Sequence, residues 1–180
     1  PIHFTNLIYD GHLYTLTYKW PGVPNNPCSD VGPFTLEDLN KGLESARFVG
    51  DKAYLVTFRV VDPFFIYDLS NPDQIVAKGE LKVPGYSTYL HPVTSKLIFG
   101  LGLDSGTWPR RVKASLFDVS NPALPVEVGT LVLGDSNSWS EALWEPHALT
   151  FYPVTAADGG KATLVGVPVG ADIKLLSIAD

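Results

Sequence analysis

Short runs of apolar and aromatic residues, a few residues long and cut by turn residues, recur along the chain at a fixed interval. One copy is Gly50-Asp51-Lys52-Ala53-Tyr54-Leu55-Val56-Thr57-Phe58, followed by Phe64-Phe65-Ile66-Tyr67-Asp68-Leu69-Ser70-Asn71-Pro72. The next is Ser95-Lys96-Leu97-Ile98-Phe99-Gly100, followed by Ala114-Ser115-Leu116-Phe117-Asp118-Val119-Ser120-Asn121-Pro122. Asp68 and Asp118 stand 50 residues apart. A β-rich unit repeating near that period is the signature of propeller blades. A weaker third copy runs through residues 161–167 and 176–180.

The pattern predicts four antiparallel strands per blade, the first of each lining a central channel. First strands are expected near residues 45–49, 87–91 and 147–153. Second strands are expected near 53–60, 96–101 and 162–168, and third strands near 64–69, 113–119 and 173–178. Residues 75–81 and 126–132 supply fourth strands to the first two units. The third unit shows no counterpart, so it is expected to be incomplete. Asn-Pro cannot continue a ladder, so Asp-x-Ser-Asn-Pro is a turn in which Asp68 and Asp118 accept backbone N–H groups.

Before residue 45 the pattern changes. Two apolar runs flank Asp10-Gly11, a strong hairpin signal. Pro21, Pro24, Pro27 and Pro33 then mark a loop. Leu36, Leu39 and Leu43 fit a helical face, with Thr35 and Asp38 resembling a capping box, but Asn40 and Gly42 weaken a helix, and a strand with a turn fits as well. The chain therefore reads as one all-β domain: a hairpin, a Pro-rich loop and a partial blade over 1–44, then blades over 45–180.

Composition narrows the function classes. Hydrophobic residues make up 45% of the 180, enough for a sizeable core. No apolar run reaches membrane-spanning length. The net charge of −6 disfavours nucleic acid, whose phosphates call for a basic surface. It leaves metals, cationic partners and neutral ligands open. Cys28 is the single cysteine: a spare thiol, or in an oxidising setting a link to another chain. The chain starts at Pro1 and contains no Met, which is expected of a mature or cleaved piece.

The stretches over residues 45–58, 61–70 and 79–92, the block 115–122 and Ser140-Glu141-Ala142-Leu143 resemble secreted bacterial and archaeal proteins with a C-terminal β-propeller distantly related to WD repeats. Tyr89-Leu90-His91-Pro92 and Ser140-Glu141-Ala142-Leu143 are the specific blocks, and the match covers residues 45–150. The resemblance implies a propeller and secretion and carries no assigned enzyme activity. Family members have an acidic or amide residue directly before the His that follows Ser-Glu-Ala-Leu; here Pro146 stands there.

Candidate chemistry is sparse. Arg47, Asp62, His91, Glu141 and His147 are the polar residues placed on or beside inner strands, where blade loops converge on a channel mouth. His91, His147, Asp62 and Glu141 are the residue types that hold a divalent metal such as calcium or zinc. They lack a fixed ligand spacing. In the plainer reading, Arg47 pairs with Glu141 or Asp62 across blades, and His91 bonds a backbone carbonyl. Trp20, Trp108, Trp139 and Trp144 fall in loop-like segments; Trp139 and Trp144, with Arg47, are candidates for contact with a sugar or peptide. Gly-x-Ser-x-Gly is absent, and Gly100-Leu101-Gly102 lacks the βαβ context of a dinucleotide site.

Three functions follow from these residues: an extracellular binding or scaffold module for a protein or glycan, a metal-assisted hydrolase with a channel-mouth site, or a chain that completes a propeller. Two full blades and a partial one are too few to close a ring, and an open ring exposes strand edges and apolar faces. The expected partner is another fragment of the same precursor, a second chain or a symmetric copy.

Overall fold

The structure is a computed structural model. It describes residues 3–9, 12–18, 43–57, 62–71, 74–106, 108–155 and 157–179, with the backbone alone for the first two segments and for Leu43, Asp62 and Pro63. Trp20, Cys28 and the segment 35–42 lie outside the described residues.

The predicted hairpin is β1 (His3–Tyr9) against β2 (His12–Tyr18), paired from His3↔Tyr18 to Tyr9↔His12; Asp10 and Gly11 lie outside the described residues. Three antiparallel meanders follow. The first is β3 (Leu43–Val49), β4 (Lys52–Thr57), β5 (Asp62–Asp68) and β6 (Val76–Val83). The second is β7 (Tyr86–Pro92), β8 (Leu97–Leu103), β9 (Val112–Asp118) and β10 (Val126–Leu133). The third has three described strands, β11 (Thr150–Thr155), β12 (Lys161–Val169) and β13 (Asp172–Ala179). Each strand follows its neighbour in sequence and in space, as a blade requires.

Local chemistry sets the boundaries. Gly50, at φ +57°, opens the two-residue turn closed by the Val49↔Lys52 pair; a positive φ there suits the hairpin twist and carries no steric cost for Gly. At the ends of β5 and β9, an Asp carboxylate accepts the N–H two residues on: Ser70 to Asp68 at 2.9 Å and Ser120 to Asp118 at 2.8 Å. The 50-residue period extends to fine detail. A bulge leaves Lys78 unpaired in β6 and Val128 unpaired in β10.

Alternation along each strand sends side chains to two faces, so the second blade packs on a neighbour at both of its faces. Tyr54, Val56, Phe64 and Ile66 of the first blade meet Leu90, Ile98 and Phe117 of the second in one buried cluster. Phe99, Leu101, Val112 and Ala114 of the second meet Val165, Val167 and Ile178 of the third in another. Lys113, buried in the second blade, donates to the Pro84 carbonyl at 2.7 Å and lies 3.0 Å from Glu127. That bond ties β9 to the connection between the first two blades.

Candidate functional site

The strands β3, β7 and β11 come together at their inner faces. Ser45 Oγ donates to the Ser87 carbonyl at 2.8 Å, joining β3 to β7. Beside it, Arg47 on β3 sets its guanidinium over the Tyr89 ring, 5.9 Å from the centroid. Tyr89 Oη lies 3.1 Å from His91 Nδ1, and the His91 ring stacks on Phe151 of β11 with centroids 3.6 Å apart. Four side chains therefore form one relay, Arg47–Tyr89–His91–Phe151, across three blades. Burial, then the Arg47 charge, holds the His91 pKa below its ordinary value. His91 thus sits neutral at pH 7, packed as an aromatic with one polar contact.

Two of the sequence-predicted site residues, Arg47 and His91, are brought together in this way. The plainer reading changes for His91, which among the described residues meets a phenol and not a backbone carbonyl; Arg47 forms no ion pair with Glu141 there, and its other expected partner, Asp62, is not described at its side chain. The side chain of Asp62 lies outside the described residues. Tyr89 and Phe151 are the members that sequence reasoning missed. The signal for Tyr89 was present, since residues i and i+2 of a strand share a face.

His147 and Glu141 lie elsewhere. The strand expected to start at residue 147 starts at Thr150. Pro146 opens a 3-10 turn over Pro146–Ala148 instead, and Glu145 caps it, accepting from the His147 N–H at 3.1 Å and pairing with Nδ1 at 2.7 Å. That N–H, and then the imidazole, hold the Glu145 carboxyl below the usual range. Among the described residues, no three His, Cys, Asp or Glu side chains come together in a metal-holding group.

Glu141 begins a second 3-10 turn, Glu141–Leu143, flanked by the two tryptophans. Its N-cap, Ser140, is buried and accepts from the Ala142 N–H at 3.3 Å; Ala142 is fully buried in the core between the second and third blades. The Trp139 carbonyl accepts from Gly170 N at 2.8 Å, which pins the turn to the β12–β13 corner. Upstream, the Asp135 carboxylate takes the Asn137 N–H and the Ser138 hydroxyl at 2.9 Å each. On this braced base the Trp139 and Trp144 rings stand parallel within 4°, centroids 6.3 Å apart, and 53% and 68% exposed. Trp108 is 86% exposed on the β8–β9 connection, separate from this turn in sequence.

The family model of the beta propeller domain matches residues 30–171. The chain belongs to the beta propeller domain family. Its blades, read above from the repeat and seen in the sheets, are those of that family. An uncharacterized protein of Archaeoglobus fulgidus is 43% identical over 145 residues, which is 78% of this chain and 22% of that protein. The uncharacterized protein MJ1554 of Methanocaldococcus jannaschii is 42% identical over 118 residues, 66% of this chain and 18% of that protein. The chain spans about a fifth of the length of these curated relatives. No solved structure matches it. No helix among the described residues is long and apolar enough to cross a membrane.

Proposed function

We propose that this propeller chain is an extracellular binding module, a sector of a larger ring that presents Trp139 and Trp144 to a glycan. The observation that carries the reading is the tryptophan pair. Two parallel indoles, each more than half exposed, sit on a turn whose Ser140 and Ala142 are buried. Keeping large apolar faces in water is costly at about 25 cal/mol per Å². Holding them rigid prepares them for contact, because little side-chain freedom is left to lose on binding. Sugar rings present C–H bonds whose partial positive charge suits the negative face of an indole. Exposed Ser136, Asn137, Glu141 and Glu145 lie close to the pair in sequence and carry groups able to bond hydroxyls. The net charge of −6 is compatible with a neutral sugar. The extracellular setting is supported by the likeness to secreted propeller proteins, and the sector reading by the length of the relatives.

Titration of the intact chain with a panel of soluble neutral oligosaccharides, followed by tryptophan fluorescence, tests this. A saturable change is expected with at least one of them. Trp144→Ala should weaken it at least tenfold, with thermal midpoint unchanged because the side chain is mostly exposed. A panel that leaves the emission unmoved, or binding that survives the substitution, would overturn the glycan assignment. Calorimetry with calcium and zinc, run alongside, tests the metal-assisted alternative.

A further inference from the structure

The registers of the second blade bring four strand ends abreast. Tyr86 pairs with Leu103, Leu103 with Val112, and Val112 with Leu133. The turn into β7, the β8–β9 connection and the chain leaving β10 therefore all emerge from one end of that sheet. The tryptophan turn lies at the same end. Its Ala142 shares a buried cluster with Val112, Leu133 and Val169, and the Trp139 carbonyl holds Gly170 in the β12–β13 corner. Trp108 belongs to the β8–β9 connection, so it stands at this end too. All three described tryptophans, Trp108, Trp139 and Trp144, are thus gathered at one end of the molecule, each more than half exposed. The connection that carries Trp108 is braced on both sides. Asp104 N–H donates to the Arg111 carbonyl at 2.9 Å and closes its base. The Asp104 carboxylate accepts the Gly106 N–H at 3.2 Å and pairs with Arg111 at 3.7 Å. The Arg110 guanidinium lies over the Tyr86 ring, 5.6 Å from its centroid, and ties the connection to the start of β7. None of these contacts involves the Trp108 indole, which is 86% exposed.

We propose that Trp108 is a second contact point on the glycan-binding end, and that the ligand is an extended polysaccharide chain laid across the end of the second blade, not a single terminal sugar. The proposal rests on the glycan reading of the Trp139–Trp144 pair. The β8–β9 connection and the chain leaving β10 stem from neighbouring strands, and such strands lie about 4.8 Å apart. A linear sugar chain carries C–H faces along its whole length, so one chain can rest on both aromatic contacts. Once the first contact is made, the second forms within the same complex and raises affinity without any change at the first. Trp gives each point a large rigid face at low cost in side-chain entropy. The exposed residues beside the tryptophans in sequence, Ser105, Gly106, Asp135, Ser136 and Asn137, are small or polar. They suit sugar hydroxyls better than the apolar core of a protein interface.

The test is calorimetry on the intact chain with ladders of neutral linear oligosaccharides, disaccharide to octasaccharide, in several linkages. For a linkage that binds, the octasaccharide should bind more tightly than the disaccharide by more than its extra equivalent positions explain. Trp108→Ala should weaken the octasaccharide at least tenfold and leave the disaccharide unchanged, whereas Trp144→Ala should weaken both. Trp108→Phe, which keeps an aromatic face, should retain most of the octasaccharide affinity. The thermal midpoint should stay at the parent value in both Trp108 variants, because the ring is mostly exposed. Octasaccharide binding that ignores Trp108→Ala, or a loss that falls equally on the disaccharide, overturns the proposal and leaves the Trp139–Trp144 site standing. Silence from every sugar at every length sinks the glycan reading, and this proposal with it.

Discussion

The seam between the first and second blades and the seam between the second and third are built from the same repeat, yet among the described residues only the first is filled from hub to rim. At the first seam Phe64 and Phe117 stack with centroids 4.6 Å apart and interplanar angle 12°, both almost wholly buried, and Pro122 closes the rim over Gly79. The second seam is closed in the middle by Val165 and Val167 against Leu101 and Val112. Its hub carries the polar His91 stacked on Phe151, and its rim is an open groove beside Gly129. A repeat unit thus fixes which surfaces need a neighbour. Whether each surface has one depends on the next unit along, which is why identical glycines 50 residues apart sit in opposite surroundings.

The largest effect expected along this contrast is at the filled seam. Phe117→Ala removes one ring of the buried stack and leaves a cavity between two blades, so it should lower unfolding stability by about 3–5 kcal/mol. Denaturant melts of the two proteins measure it. A loss below about 1 kcal/mol would mean that the seam is loose and the contrast unreal.

A paired substitution at the rims sharpens it further. Gly79→Ala forces a methyl into the Pro122 carbonyl, a backbone atom that cannot swing aside, and should cost about 1–3 kcal/mol. Gly129→Ala places its methyl at ordinary contact distance from Leu116 and should stay within about 0.5 kcal/mol of the parent. Equal losses at the two glycines would show that the second rim is covered in solution.

The blades were legible because their signals are local. Asp68 and Asp118, each followed by Ser and Asn, mark strand ends by a side-chain hydrogen bond that needs no long-range partner. The apolar runs and their repeat place the strands to within a few residues. The site was less legible because it is made of contacts between blades. Arg47 and His91 were found as polar residues on inner strands, but the Tyr89 ring that joins them and the Phe151 face that packs on His91 depend on how three sheets meet. His147 was misplaced for a local reason: Pro146 favours the first turn of a helix, and Glu145 caps it, so the strand starts three residues later than the apolar pattern alone suggests. The tryptophans are legible as residues and not as a pair, since their parallel setting depends on how the turn between them folds.

The smallest effect lies at the hub of the second seam and is read from pH. The folded His91 holds its proton less tightly than an ordinary histidine, through burial and the Arg47 charge. The unfolded chain, with a pKa near 6.5, therefore binds more protons than the folded one as pH drops below that value. Above about pH 7 both states are neutral at this residue and nothing is lost. As pH falls through 6.5 toward the lower folded value, stability should fall, and below the folded value the loss is complete. His91→Phe keeps an aromatic face on Phe151, removes the titration and leaves Tyr89 without its nitrogen partner. It should show a fixed offset from the parent at pH 7 and above. Between pH 7 and 5 that offset should shift in favour of the variant, while every other titrating group cancels in the difference. Denaturant midpoints of both proteins across that range decide it. An offset that stays constant from pH 8 to 5 would mean that His91 is as open to protons as a surface histidine, and that the hub of the second seam is as unfilled as its rim.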